Sequence, residues 1–292
     1  GHLPSLTVAT VIPFVLVIVV AGVVFTRWVA DRRDIYVAQV AGGAVVLVAI
    51  AIEAATGWQA AVTPLAGGGQ LDGGRFFGMP NIEIGIVLGS ALFVAHRLRV
   101  RTGVLLLIVC GLAAGSPWTG SNMGAAITLF AAAGLWLSLR RRRPWWAVVL
   151  ITGLVTAAGA AVVGAMHRYL TERPTHITAA LEGASSPMEV LERVVDRLRI
   201  GLELLTESPA ALIPVLGTLV LLVLVLRPPA PIALTFEGHD AWRDAILAIV
   251  LGSIVAYVAN DTGAAALGFG FGFALSGLVD VSLATARGKM AR

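Results

Sequence analysis

The chain has 292 residues, 58% of them hydrophobic and 13% charged, with a mean hydropathy of +0.88. A soluble domain carries about 25% charged residues, so this composition excludes an ordinary soluble fold and points to a helical membrane protein. The formal charge of +4 does not imply nucleic acid, since the basic residues cluster between apolar runs, and the single Cys110 excludes an internal disulfide framework or a cysteine-based metal site.

The predicted architecture is all-α, a polytopic helical membrane protein with about nine apolar segments and one extracytoplasmic amphipathic helix. Run one covers about Leu6 to Phe25 and is long enough to be an anchor rather than a cleaved leader. Run two covers Tyr36 to Trp58 and carries Glu53 near its end. A Gly-rich polar connection leads to run three, Asn81 to Ala95, which His96, Arg97, Arg99 and Arg101 close. Run four, Gly103 to Ala114, is short for a hydrocarbon core that takes roughly 20 helical residues to cross. Runs five and six are Met123 to Leu139 and Pro144 to Met166. Run seven is Ala210 to Leu226, followed by a Pro-rich connection from Arg227 to Asp244. Run eight, Ala245 to Ala259, again reads as short, and run nine is Gly263 to Ala286. The two short runs match the pattern of broken or re-entrant helices that line a membrane cavity.

All 292 residues read as a single membrane domain, with 167–209 as an extracytoplasmic insertion. Within the insertion, Ser186-Pro187-Met188-Glu189 has the form of an N-cap, a Pro at N1 and a capping-box Glu. Val190, Leu191, Val194, Val195, Leu198, Leu202 and Leu205 then recur at helical spacing, giving an amphipathic helix suited to a membrane face or to covering the bundle. His167 and His176 lack metal-ligand spacing and read as solvated. Trp28, Trp136, Trp145 and Trp146 read as an inner aromatic belt.

Loop charge sets the expected orientation. With nine spans and the N-terminus outside, 15 of the 21 Lys and Arg residues face the cytoplasm, as does the C-terminus. The expected location is the bacterial inner membrane. The missing initiator Met leads us to expect upstream sequence, such as an extracytoplasmic domain.

Three polar stretches then fall on the outer side: Arg75 through Glu83, Gly120 through Gly124, and Asn260-Asp261-Thr262-Gly263. Each opens an apolar run with Asn, followed by small residues that let helices approach closely. Asn, Asp and Thr side chains cap helix N-termini, whose partial positive charges favour anions. Arg75, Asn81, Glu83, Asn122, Asn260, Asp261 and Thr262 are therefore the candidate substrate-binding residues, suited to phosphate or pyrophosphate. The carboxylates also admit a divalent cation or proton exchange, although no cofactor is required. Plainer readings stand beside this one: Arg75 in a structural salt bridge, Asn122 and Asn260 as simple caps, and Glu53 as a rim residue.

Arg75-Phe76-Phe77-Gly78-x-x-Asn81, Gly120-x-Asn122-x-Gly124 and Asn260-Asp261-Thr262-Gly263 resemble a group of bacterial multi-pass membrane proteins. These carry RF(Y/F)G-x-x-N, G-A-x-x-G-G and N-D-S-G in this order, in some cases attached to an alkaline-phosphatase-like extracytoplasmic domain. The resemblance covers Gly73 to Gly263 and departs at Ser121-Asn122-Met123 and at Thr262, where the group has Ser. It implies that the three motifs form one site and assigns no reaction. The functional expectation is a transporter or flippase-like module for an anionic or lipid-linked envelope precursor. The alternatives are a membrane enzyme acting on a polyprenyl- or lipid-phosphate substrate, and an anchor or scaffold for an upstream domain. The expected partners are membrane lipids and an anionic or lipid-phosphate ligand.

Overall fold

The computed structural model describes residues 35–55, 79–171, 209–260 and 263–290, with scattered positions between 175 and 206. In chain order the helices are α1 (Ile35–Ala55), α2 (Asn81–Ala95), α3 (Val100–Gly115), α4 (Met123–Arg140), α5 (Trp145–Tyr169), α6 (Pro209–Leu226), α7 (Ala230–Phe236), α8 (Asp240–Ala259) and α9 (Gly263–Met290). No strand occurs among the described residues. Arg75, Asp261, Thr262 and run one lie outside the described residues.

Among the described residues, four stretches are long and apolar enough to cross a membrane: α4, α5, α8 and residues 264–283 of α9. The pair α6 and α7 makes a fifth if its two parts are one span, bent by 73° at Arg227–Pro229. Pro228 and Pro229 break the helix there, because proline cannot donate the helical hydrogen bond and disfavours helical backbone before it. This relocates the break expected in run eight. That run is not short: α8 has 20 residues, since Asp240 to Asp244 form its first turn rather than a connection. Periodicity of apolar residues alone missed this turn because its polar groups are consumed by neighbouring helices.

The helices are apolar on most faces, so burial separates centre from edge. Most of α4 is buried inside the bundle, whereas most of α5 is not. Packing follows the pairs α3–α4, α4–α5, α4–α8, α8–α9, α2–α9, α1–α2 and α6–α9. The core between them includes Ile84, Leu88, Leu92, Leu107, Leu129, Trp136, Ile246 and Ile249. Trp136 therefore belongs to the core and not to an aromatic belt, whereas Trp145 and Trp146 are exposed. Small residues set the closest approach. A side chain at Gly85 would fall 2.8 Å from the Gly270 nitrogen, so α2 and α9 meet backbone to backbone.

The first turn of α8 ties one end of the bundle together. Buried Asp244 accepts from Arg140 Nη1 at 3.1 Å and from Arg142 Nη1 at 3.2 Å, both at the end of α4. Arg142 has φ 52°, a left-handed conformation that ends the helix before its side chain turns back to Asp240 at 3.0 Å and to Asp244. Trp242 Nε1 donates to the Gly277 carbonyl of α9 at 2.8 Å and its ring stacks on Phe93 of α2. Arg243 donates through Nε and Nη2 to the Val225 carbonyl, one of the free carbonyls at the end of α6.

Asp244→Ala leaves Arg140 and Arg142 facing a vacated buried site, and its expected cost is about 3 kcal/mol in unfolding of the purified protein in detergent. The exposed Arg199–Glu203 pair at 2.9 Å provides the comparison, since Glu203→Ala is expected to change stability by less than about 0.5 kcal/mol. Equal effects of the two substitutions would show that the clamp contributes nothing beyond a surface pair.

Candidate functional site

At the other end of α4 the polar groups converge on Asn122. An 18-residue helix is roughly 27 Å long, so this end lies nearly a hydrocarbon thickness from the α8 clamp. Pro117 stops α3, and the chain turns through Ser121, which has φ 47°. Ser121 N–H donates to the Ser116 carbonyl at 2.8 Å and Asn122 N–H to the Ala114 carbonyl at 2.9 Å. The turn delivers Asn122, fully buried, to the N-cap of α4, where its Oδ1 accepts from Ala125 N–H at 3.0 Å.

The same carboxamide reaches the start of α2. Asn122 Nδ2 donates to the Met79 carbonyl at 2.9 Å and to Asn81 Oδ1 at 3.0 Å. Met79 N–H donates to the Gly120 carbonyl at 2.7 Å. Both amide hydrogens of Asn122 are thus used, together with its oxygen and its backbone N–H. The third motif joins through packing: a side chain at Gly124 would fall 2.8 Å from the Ala259 carbonyl and overlap the Asn260 carboxamide.

The three Asn residues therefore meet, but they do three different things. Asn122 is an N-cap. Asn81 is the first helical residue after an N-cap at Pro80, and gives its oxygen to Asn122 instead of capping α2. Asn260 lies past the end of α8, where its Nδ2 donates to the Ala256 carbonyl at 2.8 Å, satisfying a C-terminal acceptor.

Glu83 sits half a turn beyond Asn81 and is half-buried. Its Oε2 is shielded from solvent and has no hydrogen-bond partner among the described residues. Glu53 of α1 lies close enough for its charge to act on Glu83, and its Oε1 is shielded as well. The packing of α1 on α2 places Glu53, read from sequence as a rim residue, near Glu83. Nothing in its spacing could have revealed this, because the two residues are on different helices. Among the described residues, no group of three or more His, Cys, Asp or Glu side chains is placed to hold a metal ion.

His167 is also not where sequence suggested. It is fully buried at the end of α5, with Nε2 donating to the Gly115 carbonyl at 2.8 Å and Nδ1 2.8 Å from Thr175 Oγ1. The donation to a carbonyl fixes the Nε2–H form, so the ring fastens α5 to the end of α3 and to the insertion. The described positions between 188 and 206 are helical, as the periodicity indicated, and Ser186 and Pro187 of the capping box lie outside the described residues.

No family model, no curated protein and no solved structure matches this chain.

Asn122→Ala removes a cap and two donors at a fully buried position, and the expected cost is about 2–4 kcal/mol. Asn122→Ser retains a capping oxygen and should recover about 1 kcal/mol of that loss. Thermal unfolding in detergent, followed by tryptophan fluorescence, measures both. Wild-type stability in Asn122→Ala would remove the carboxamide from its place as the junction of α2 and α4.

Proposed function

We propose that the chain is a multi-pass module of the bacterial inner membrane, with about nine apolar segments, that transports or flips an anionic or lipid-linked envelope precursor. The observation that carries this reading is the meeting of Glu53 and Glu83 inside an apolar bundle. Two carboxyls at membrane depth are costly and are retained where they exchange protons or cations. Asn122 is compensated on every atom, whereas Glu83 Oε2 has no hydrogen-bond partner among the described residues. Polar groups kept only for packing are normally satisfied. The Glu53–Glu83 pair is the coupling site in this proposal, and the Asn hub is its rigid frame. Arg75, Asp261 and Thr262, together with the helix N-termini, form the anion-binding wall. The resemblance of the three motifs to one group of membrane proteins supports treating them as one site. The loop charges favour the N-terminus outside and the α8 clamp on the cytoplasmic side.

One observation favours the second reading, an anchor or scaffold. The hub around Asn122 is sealed and fully bonded, as a purely structural knot would be.

Glu83→Gln separates the two. A coupling carboxyl gives a variant of unchanged or higher melting temperature that loses function, because an amide of the same shape relieves a buried acid. A packing carboxyl gives a less stable variant that still functions. The readouts are growth complementation of a deletion strain at matched protein abundance, and passage of a fluorescent phosphatidylglycerol across proteoliposome bilayers. The expectation is failed complementation and a flipping rate reduced at least roughly tenfold, equivalent to about 1.4 kcal/mol of barrier. Full complementation by both Glu83→Gln and Glu53→Gln would sink the transport reading.

A further inference from the structure

We propose that the groove between α4 and α5 holds an anionic phospholipid, with one acyl chain in the trough and the phosphate on Arg168. The groove has a volume of about 570 Å³. Ala160, Ala161 and Gly164 of α5 form part of one wall, and Met123 and Ile127 of α4 line the other. Small residues on one side and larger apolar ones on the other make a recess rather than a flat lipid-facing surface. From Ala160 to Arg168 the recess runs eight residues along α5, roughly 12 Å. One leaflet of hydrocarbon is about 15 Å deep. The trough thus matches most of the length of one acyl chain within its own leaflet.

Charge decides what kind of lipid. The rim carries Arg168 beside Tyr169, with the guanidinium 5.6 Å from the ring centroid. Among the described residues Arg168 has no carboxylate partner. A guanidinium where apolar surface gives way to polar is complementary to a phosphate, which it can bind through two parallel hydrogen bonds. The rim is also held in place. His167, next in sequence to Arg168, is locked between the Gly115 carbonyl and Thr175, and Thr178 of the insertion closes the groove. An apolar trough in a bilayer is filled by acyl chain or by protein, because water gains no partners there. The charged rim favours a lipid with a net negative headgroup over a second copy of this chain. The groove is lined by Met123 and Ile127 and not by Gly124, which packs on Asn260, and the proposal does not depend on the transport reading.

The test uses the full chain purified in mild detergent and reconstituted in nanodiscs containing equal amounts of phosphatidylglycerol and phosphatidylcholine. Native mass spectrometry then counts retained lipid. The expected result is one phosphatidylglycerol retained per wild-type chain in preference to phosphatidylcholine. Arg168→Gln should weaken retention roughly tenfold through loss of a charge-assisted contact. Ala161→Trp should abolish it by filling the trough, and Leu219→Trp, on the exposed face of α6, should leave it unchanged. Arg168 is exposed, so its substitution tests the site even if Ala161→Trp fails to fold. Retention of both lipids equally, undiminished retention in Arg168→Gln, or a disulfide-linked dimer formed through Ala161→Cys would each overturn the proposal.

Discussion

The structure depends on a single requirement: a carboxamide buried at one end of an apolar bundle must have every polar atom satisfied. Asn122 meets it with four bonds to four places, the Ala125 amide, the Met79 carbonyl, Asn81 and the Ala114 carbonyl. Those partners lie at three helix ends: the start of α2, the end of α3 and the start of α4. The side chain therefore ties the start of α2 to the start of α4, and the backbone N–H of the same residue ties both to the end of α3. The contact of Gly124 with Asn260 then brings in the junction of α8 with α9. In surroundings without water, an unmade bond costs its full desolvation, which is why one residue can set the arrangement of so many helix ends.

The opposite end solves a similar problem with charge. The first turn of α8 sends Asp244 to α4, Trp242 to α9 and α2, and Arg243 to α6. Between the two polar knots the helices pack through aliphatic side chains and small residues, with few hydrogen bonds between them. Such an interior gives close contact and little directional preference. The ends carry the specificity of the fold, and the middle carries most of its buried area.

Against this economy, the Glu53–Glu83 pair is an exception. Two like-charged groups lie near each other, and Glu83 Oε2 has no hydrogen-bond partner among the described residues. Bundles that spend polar groups only on packing place them as Asn122 and Asp244 are placed. The contrast between satisfied knots and this pair is the physical basis for assigning function to the carboxyls and framework to the carboxamides.

Composition alone determined that the chain is helical and apolar enough for a membrane, since a deficit of charge and repeated aliphatic runs leave few other options. The Asn122 cap was legible as well, because capping acts over three residues of sequence. The proximity of the three Asn motifs was readable from their common position at run boundaries. Their separate roles were not, because Asn81 and Asn260 take their partners from helix ends and not from a cap pattern. Burial of His167 and Trp136, the full length of α8 and the approach of Glu53 to Glu83 were decided by tertiary structure. Each depends on which helix lies alongside which, and apolar runs of nearly uniform composition carry almost no record of their neighbours.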